Sequence, residues 1–466
     1  MAEEKMRKGK TRKGTAPSKT RRQVHLAPVL EFIHEHLTEA LCGEVFKEVR
    51  TAQRERKWTF FALARFWLAV VLDPPPSLSH LLARTRGNDR LGFLPQVSAS
   101  SEAFFQKAKG FSALFFTALF HRFVKEVLPH APKQYARELA HLERSFSDVA
   151  IIDGSRLDKI AHRLKILWSE KAAVLPGCLM VVYDLYRGFA RQVWFHEDAA
   201  ASEFNRARLA IECLREGTLL VGDRLYCSAK MFTQLAAKQC FGLFRWAKTL
   251  SIKKVRRLSR VRLGSAIIED WLVKAGPPNA AIDLRLVMLK VGGKTYRAVT
   301  SVLDPQRLSA KDIVTLYPLR WRIERLFYDL KVVLNLERFY AANPNAVAMQ
   351  VYAAGIIHAA FRIAQADLAH KLDIRAEELS TEKLFPFLAL ASIKVLEAEY
   401  IFETTCQANP KVDLRKPSWK NLPGTVVPLE YLLVEHRSPV RKKKSYDPER
   451  RKWKSLRKIY EEGELS

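Results

Sequence analysis

From about Leu26 to His141, apolar positions recur at three-to-four spacing. The segments are LAPVLEFIHEHL, WTFFALARFWLAVVL, LSHLLARTR and SSEAFFQKAKGFSALFFTALFHRFVKEVL. That period is helical. Pro74–Pro76 ends the second helix, and Ser98–Ser101 ahead of Glu102 starts another. The pattern predicts an all-helical N-terminal domain. Basic helical domains of this kind place a helix in the major groove of DNA, although no recognition helix stands out here.

Near residue 148 the period drops to that of strands. DVAIID is a short β-branched run ending in Asp153, with Gly154 and Ser155 as turn residues. CLMVVYDL and FARQVWF are strand-like and joined by YRG, a hairpin signal, with Asp184 as its turn residue. ASEFNRARLAIECLREG is an amphipathic helix closed by Gly217. TLLVGD is a second buried strand, delivering Asp223 at its end. SAKMFTQLAAKQ is a helix and FGLFRW a further strand. The order β, β, β, α, β, α, β predicts a mixed α/β sheet. Such sheets carry their chemistry at the C-terminal tips of strands, where Asp153 and Asp223 are expected.

Residues 245–262 hold eight Lys or Arg and no acid. The runs IIEDWLV, DLRLVMLKV and KTYRAVTSVL follow, with Gly292-Gly293 as a turn. They predict a small β-rich insertion with a cationic surface that includes Lys253, Lys254, Arg256 and Arg257. Ser309 with Asp312 forms a helix cap, and Pro318 is expected to kink that helix. AMQVYAAGIIHAAFRIAQADLA and LSTEKLFPFLALASIKVLEAEYIF read as further helices.

Charge adds a partner. The chain has 466 residues and a net charge of +29 at pH 7. An excess of that size calls for a polyanion, with nucleic acid ahead of an anionic membrane surface. Residues 1–23 carry nine Lys or Arg against two Glu, which predicts a disordered basic arm, either solubilising or DNA-bound. Arg437–Lys458 has eleven Lys or Arg against Asp447 and Glu449, a second basic tail whose Trp453 and Tyr460 either stack on bases or pack. No apolar run reaches the roughly 18 residues of a membrane span, the longest candidate being Val351–Ala364, broken by His358 and Arg362. The basic N-terminus lacks the apolar core of a secretory signal. Six cysteines without a CxxC pair read as small hydrophobes of a reducing compartment. A cytoplasmic protein without membrane contact is expected.

The stretch Leu316–Lys331, LYPLRWRIERLFYDLK, gathers polar chemistry onto one helical face. At roughly 100° per residue with Glu324 at 0°, Tyr317 falls near +20°, Arg320 near −40° and Lys331 near −20°. Trp321, Leu326, Phe327, Leu330 and Leu334 are left to hold the helix against a core. Arg320 with Glu324 is also an ordinary i,i+4 ion pair, and a strand-end aspartate alone often only makes a turn. If the two strands are neighbours and the helix packs over that sheet edge, Asp153, Asp223 and Glu324 converge. Three such carboxylates need cations. Oxygen-only ligands suit Mg²⁺, with Mn²⁺ as a substitute. Two such ions roughly 3.5–4 Å apart activate a water or a DNA 3′-hydroxyl and stabilise the leaving oxygen. His196, Glu197 and Asp198, being adjacent, chelate poorly and read as loop residues.

The spacing Tyr317, two residues, Arg320, three residues, Glu324, six residues, Lys331 resembles the YREK signature of DDE transposases of the insertion-sequence-four family. GDRLY around Asp223 and IIDGS around Asp153 resemble that family's two aspartate motifs, in the family's order, over about residues 60–365. The resemblance implies an RNase H-like mixed-sheet α/β core holding two Mg²⁺, with a β-rich insertion between the second Asp and the Glu. It implies catalytic and metal-binding roles for Asp153, Asp223 and Glu324. Tyr317, Arg320 and Lys331 would hold the phosphates of the transposon end, with Arg224 and the insertion cations as further DNA contacts. An insertion Trp, Trp246 or Trp271, would stack a flipped base. The expected partners are double-stranded DNA, as terminal inverted repeats and target, and a second copy of the chain in the DNA complex. The domain plan expected is a basic arm (1–25), a helical DNA-binding domain (26–145), the first part of the core (146–247), the basic insertion (248–306), the second part of the core with the Glu helix (307–375), and a helical C-terminal region with a basic tail (376–466). The alternatives are a metal-dependent nuclease, a transposase-derived protein lacking strand transfer, and a non-catalytic basic DNA-binding protein.

Overall fold

The computed structural model describes residues 22–87, 93–157, 177–198, 203–341, 343–410 and 419–435. Most of the basic arm and the whole basic tail, with Trp453 and Tyr460, lie outside the described residues.

The chain enters through a short strand, β1 (Gln23–His25), and six helices follow. They are α1 (Ala27–His36), α2 (Glu39–Val49), α3 (Phe60–Leu72), α4 (Leu78–Arg84), α5 (Ser101–Gly110) and α6 (Ala113–Val127). Thr59 and Ser100 cap α3 and α5, accepting from the backbone N–H groups of Ala62 and Ala103. Each cap satisfies a donor that the first helical turn leaves orphaned. The strands β2 (Val149–Arg156), β3 (Cys178–Asp184) and β4 (Ala190–His196) come next. Then α7 (Glu203–Glu212), β5 (Leu219–Gly222), α8 (Ala229–Ala237) and β6 (Phe241–Arg245) complete the expected order. At the turn after β3, Asp184 accepts from the N–H groups of Tyr186 and Arg187, the role expected of it.

The basic segment forms β7 (Ile252–Leu263), β8 (Ala266–Ala275), β9 (Ile282–Val291) and β10 (Lys294–Thr300). These strands extend the core sheet rather than forming a separate one. Ala298, Val299 and Thr300 of β10 pair with Arg245, Phe244 and Leu243 of β6, giving the order β4-β3-β2-β5-β6-β10-β9-β8-β7. Buried Arg285 on β9 secures the junction. It pairs with buried Asp270 on β8 and donates to the carbonyls of Val302, Asp304 and Leu308, the segment leading to the Glu324 helix.

Alternation along β2 distributes its side chains to two cores, as a pleated strand requires. Val149 and Ile151 face a core shared with α3, α6 and α11 (Pro344–Leu372), whereas Ala150 and Ile152 face α7 and α8. The N-terminal helices thus share one apolar core with the sheet and with α11. By length and composition α11 is apolar enough to cross a membrane, and its apolar window is wholly buried inside the fold. Close contact with α6 depends on Gly355, where a Cβ would stand 3.0 Å from the Phe120 ring. After α11, α12 (Thr381–Ala408), β11 (Val426–Pro428) and α13 (Leu429–Leu432) close the described chain, with β11 pairing antiparallel to β1.

Candidate active site

Asp153 lies within β2 and not at its tip, since Gly154 and Ser155 continue the ladder opposite Met180 and Leu179 of β3. The turn expected there fails because β3 offers a partner that the local sequence does not reveal. On the other side, the parallel pairing with β5 ends at Ile151↔Val221. Two residues further on each strand are Asp153 and Asp223. Each thus follows the end of that pairing by the same two residues. Asp223 follows β5 directly, and its carboxylate accepts from the Leu225 N–H at 2.6 Å, capping a turn of 3₁₀ helix at Arg224–Tyr226.

Leu316–Lys331 is not one regular helix. After α9 (Ala310–Leu316), whose Ser309–Asp312 capping box is formed as expected, the chain tightens to 3₁₀ over Tyr317–Trp321. It is α-helical in α10 (Arg322–Tyr328) and widens to a π-turn over Asp329–Val333. Pro318 accounts for the first change by removing a donor. Across these changes Arg320 and Lys331 still face β2, donating to Asp153 and to Ser155. Trp321 departs from expectation, for it is 65% exposed with the Arg320 guanidinium 5.0 Å from its ring centre.

Arg320 links the acids. Its guanidinium donates to Asp153 at 2.7 Å and stands 3.8 Å from Glu324. Burial pushes the Asp153 carboxyl up to about 7 despite Arg320 and the Gly154 N–H, and the negative charges of Glu324 and Asp223 add to the rise. Asp153 therefore lies within the fields of both other acids. The Tyr317 hydroxyl is pushed up to about 12 by burial, with Asp223 adding and Arg320 and Arg245 opposing. Lys331 donates to the Ser155 hydroxyl at 2.7 Å and to the Arg156 carbonyl, fastening the π-turn to β2. Ser155 and Arg245 belong to this site and sequence reasoning missed both. The GS after Asp153 read as a turn, and Arg245 was one charge in a long basic run.

A cleft of about 540 Å³ opens beside Asp223. Arg224, Leu225, Arg245, Trp246, Lys248, Tyr296 and Arg297 line it, with no acid among the lining residues. The Arg297 guanidinium lies 5.4 Å from the Trp246 ring centre. Lys253, Lys254, Arg256 and Arg257 sit elsewhere, exposed on the edge strand β7, where Lys254 and Arg257 cover Trp271. Asp153, Asp223 and Glu324 supply only hard oxygen donors, which fit a divalent cation in kind. Among the described residues no three Asp, Glu, His or Cys side chains already form a cage for one.

Residues 147–359 match the family model described as Transposase DDE domain. A transposase named y4zB from Sinorhizobium fredii is 29% identical over 42% of this chain and 56% of its own length. A transposase for insertion sequence element IS4SA from Synechocystis is 27% identical over 30% of this chain and 40% of its own. One for insertion sequence element IS5377 from Geobacillus stearothermophilus is 24% identical over 31% and 38%. The chain thus spans about half the length, or less, of these curated relatives. Among solved structures, a piggyBac transposase synaptic complex with hairpin DNA aligns over 83% of this chain at 9% identity and a TM-score of 0.34, too loose a likeness to carry weight.

Proposed function

We propose that this chain is a DNA transposase that cuts transposon ends and joins them to target DNA. One observation carries the reading: Asp153 and Asp223 each follow the end of the β2–β5 pairing by two residues, and Arg320 lies between Asp153 and Glu324. Isolated structural acids have no reason to gather inside one field, where they repel each other. The match of residues 147–359 to a transposase domain supports the same reading.

In this proposal the core is RNase H-like and belongs to the insertion-sequence-four family. The sheet order β4-β3-β2-β5-β6, with helices on both faces, supports that fold. Asp153, Asp223 and Glu324 would hold two Mg²⁺, or Mn²⁺, which when bound activate the attacking oxygen and stabilise the leaving one. With cations held by the acids, Arg320 would be released from Asp153 to pair with a phosphate. Lys331, fixed on Ser155, and Tyr317 orient the phosphate of the strand to be cut. Arg224, Arg245, Lys248 and Arg297 carry the DNA away from Asp223 along the acid-free cleft, and the β7 cations grip it further out. The helices of residues 26–145 contact DNA, residues 248–306 act as the basic insertion, and two copies work together in the DNA complex, in the bacterial cytoplasm on nucleoid DNA.

The test is incubation of the protein with labelled repeat-end DNA, with and without Mg²⁺, mapping cuts to the nucleotide. A metal-dependent cut at the transposon end, followed by joining to added target, is expected. Cutting without joining would make the protein a nuclease, and binding without cutting would leave a basic DNA-binding protein.

A further inference from the structure

Helix α10 packs Ile323, Leu326 and Phe327 into the main core, whereas its side bearing Arg322 and Arg325 is polar. That side borders a cavity of about 550 Å³ lined by Arg322, Arg325, Asp329, His358, Arg362 and Thr381 among others. Asp329 is 1% exposed and lies in the π-turn, five residues after Glu324 and two before Lys331. The Thr381 hydroxyl, at the start of α12, donates to its Oδ1 at 2.7 Å and accepts from the Arg325 guanidinium at 2.6 Å. Arg325 closes the triangle at 3.1 Å from the same carboxylate, and His358 of α11 approaches its other oxygen at 3.7 Å. A buried carboxylate with partners on two other helices fixes position strongly, because leaving it unpaired costs its full desolvation. π-turns commonly mark sites where function has a use for a widened helix.

We propose that Asp329, held by Thr381 and Arg325, is a positioning residue that sets the reach of Glu324 toward Asp153 and Asp223. It touches neither substrate nor cation. Apolar packing of Ile323, Leu326 and Phe327 holds one side of α10, and on the cavity side the hydrogen-bonded triangle holds the segment that follows Glu324. Widening at Asp329 lets one short segment point Lys331 at β2 and Asp329 at α12. The inference rests on Glu324 being a cation ligand, as proposed above.

Thr381→Val removes the hydroxyl, keeps the shape and lies on a different helix from Glu324. Mn²⁺ binding to the full chain, measured by calorimetry, should weaken at least fivefold in Thr381→Val and in Asp329→Asn. Thr381→Ser, which keeps the hydroxyl, should bind like wild type. DNA binding in chelator should stay within twofold throughout, and a thermal melt should show Thr381→Val folded. Unchanged Mn²⁺ affinity in folded Thr381→Val, or a Ser variant as weak as Val, would overturn the positioning role while leaving the functional reading intact. Wild-type protein that binds no Mn²⁺ would overturn the functional reading itself.

Discussion

Replacing Glu324 by Gln separates charge from shape at the centre of the site. The Glu324 side chain is 47% exposed, and its ion pair with Arg320 is an i,i+4 contact at 3.8 Å. Pairs of that kind contribute no more than about 0.5 kcal/mol. Folding stability should therefore change by no more than that, as read from urea midpoints. Cleavage of repeat-end DNA should fall at least roughly a hundredfold, about 2.7 kcal/mol of barrier, because a cation ligand is gone. Glu324 is also one of the charges that hold the Asp153 carboxyl up, so its neutralisation should move the Asp153 titration downward from about 7, which carboxyl ¹³C chemical shifts would follow. Gel shifts without divalent metal should show DNA binding intact or tighter. The reasoning collapses if Glu324→Gln cuts at near the wild-type rate. A loss of stability beyond about 2 kcal/mol would equally undo it, since the residue would then be structural.

Lys331→Ala should weaken repeat-end binding as well as cutting, and lower the salt slope of binding by about 1, as loss of one phosphate contact does. An unchanged slope would leave Lys331 as a tether to β2 alone. Arg285→Met strands buried Asp270 and should cost about 3–5 kcal/mol in urea unfolding, with Asp270→Leu added to it restoring much of the loss. If the double variant is no better than the single, the pair is not what the junction depends on. His121 is held down to about 4 by burial, against a hydrogen bond with the Val193 backbone. The unfolded chain takes up that proton near pH 6.5 and the folded chain only near 4, so the stability concerned is intact above about 6.5 and drains away toward 4, about 3 kcal/mol at the limit. Urea midpoints between pH 7 and 4.5 should show that slope, and His121→Phe should flatten it.

The strand that delivers Asp223 was legible in the sequence, and the surroundings of Asp153 less so. Asp223 was legible because a short buried run ends on it. Asp153 was misplaced within its strand because the pairing with β3 comes from tertiary context. Trp321 was assigned to the core because it is apolar, although an even turn of roughly 100° per residue puts it near +60°, beside the Glu324 face and away from Leu326 and Leu330. The insertion looked separate because nothing in KTYRAVTSVL announces that Ala298, Val299 and Thr300 will pair with β6. Asp329 was invisible for a similar reason. Its partners, Thr381 and His358, belong to helices that begin well beyond the motif, and a polar residue in an amphipathic stretch reads as surface.

The continuity of the sheet has a metric consequence. From β2, which carries Asp153, to the cationic edge β7 the order β2-β5-β6-β10-β9-β8-β7 makes six interstrand steps. At about 4.8 Å each, that is at most about 29 Å, less whatever the twist takes up. Duplex DNA rises about 3.4 Å per base pair, so the span matches roughly eight base pairs. On the transposase reading the hydrogen-bonded ladder is a ruler. It fixes how far from the cut the outer grip can fall, and inserting or deleting a strand pair would change that distance in jumps of nearly 10 Å rather than gradually.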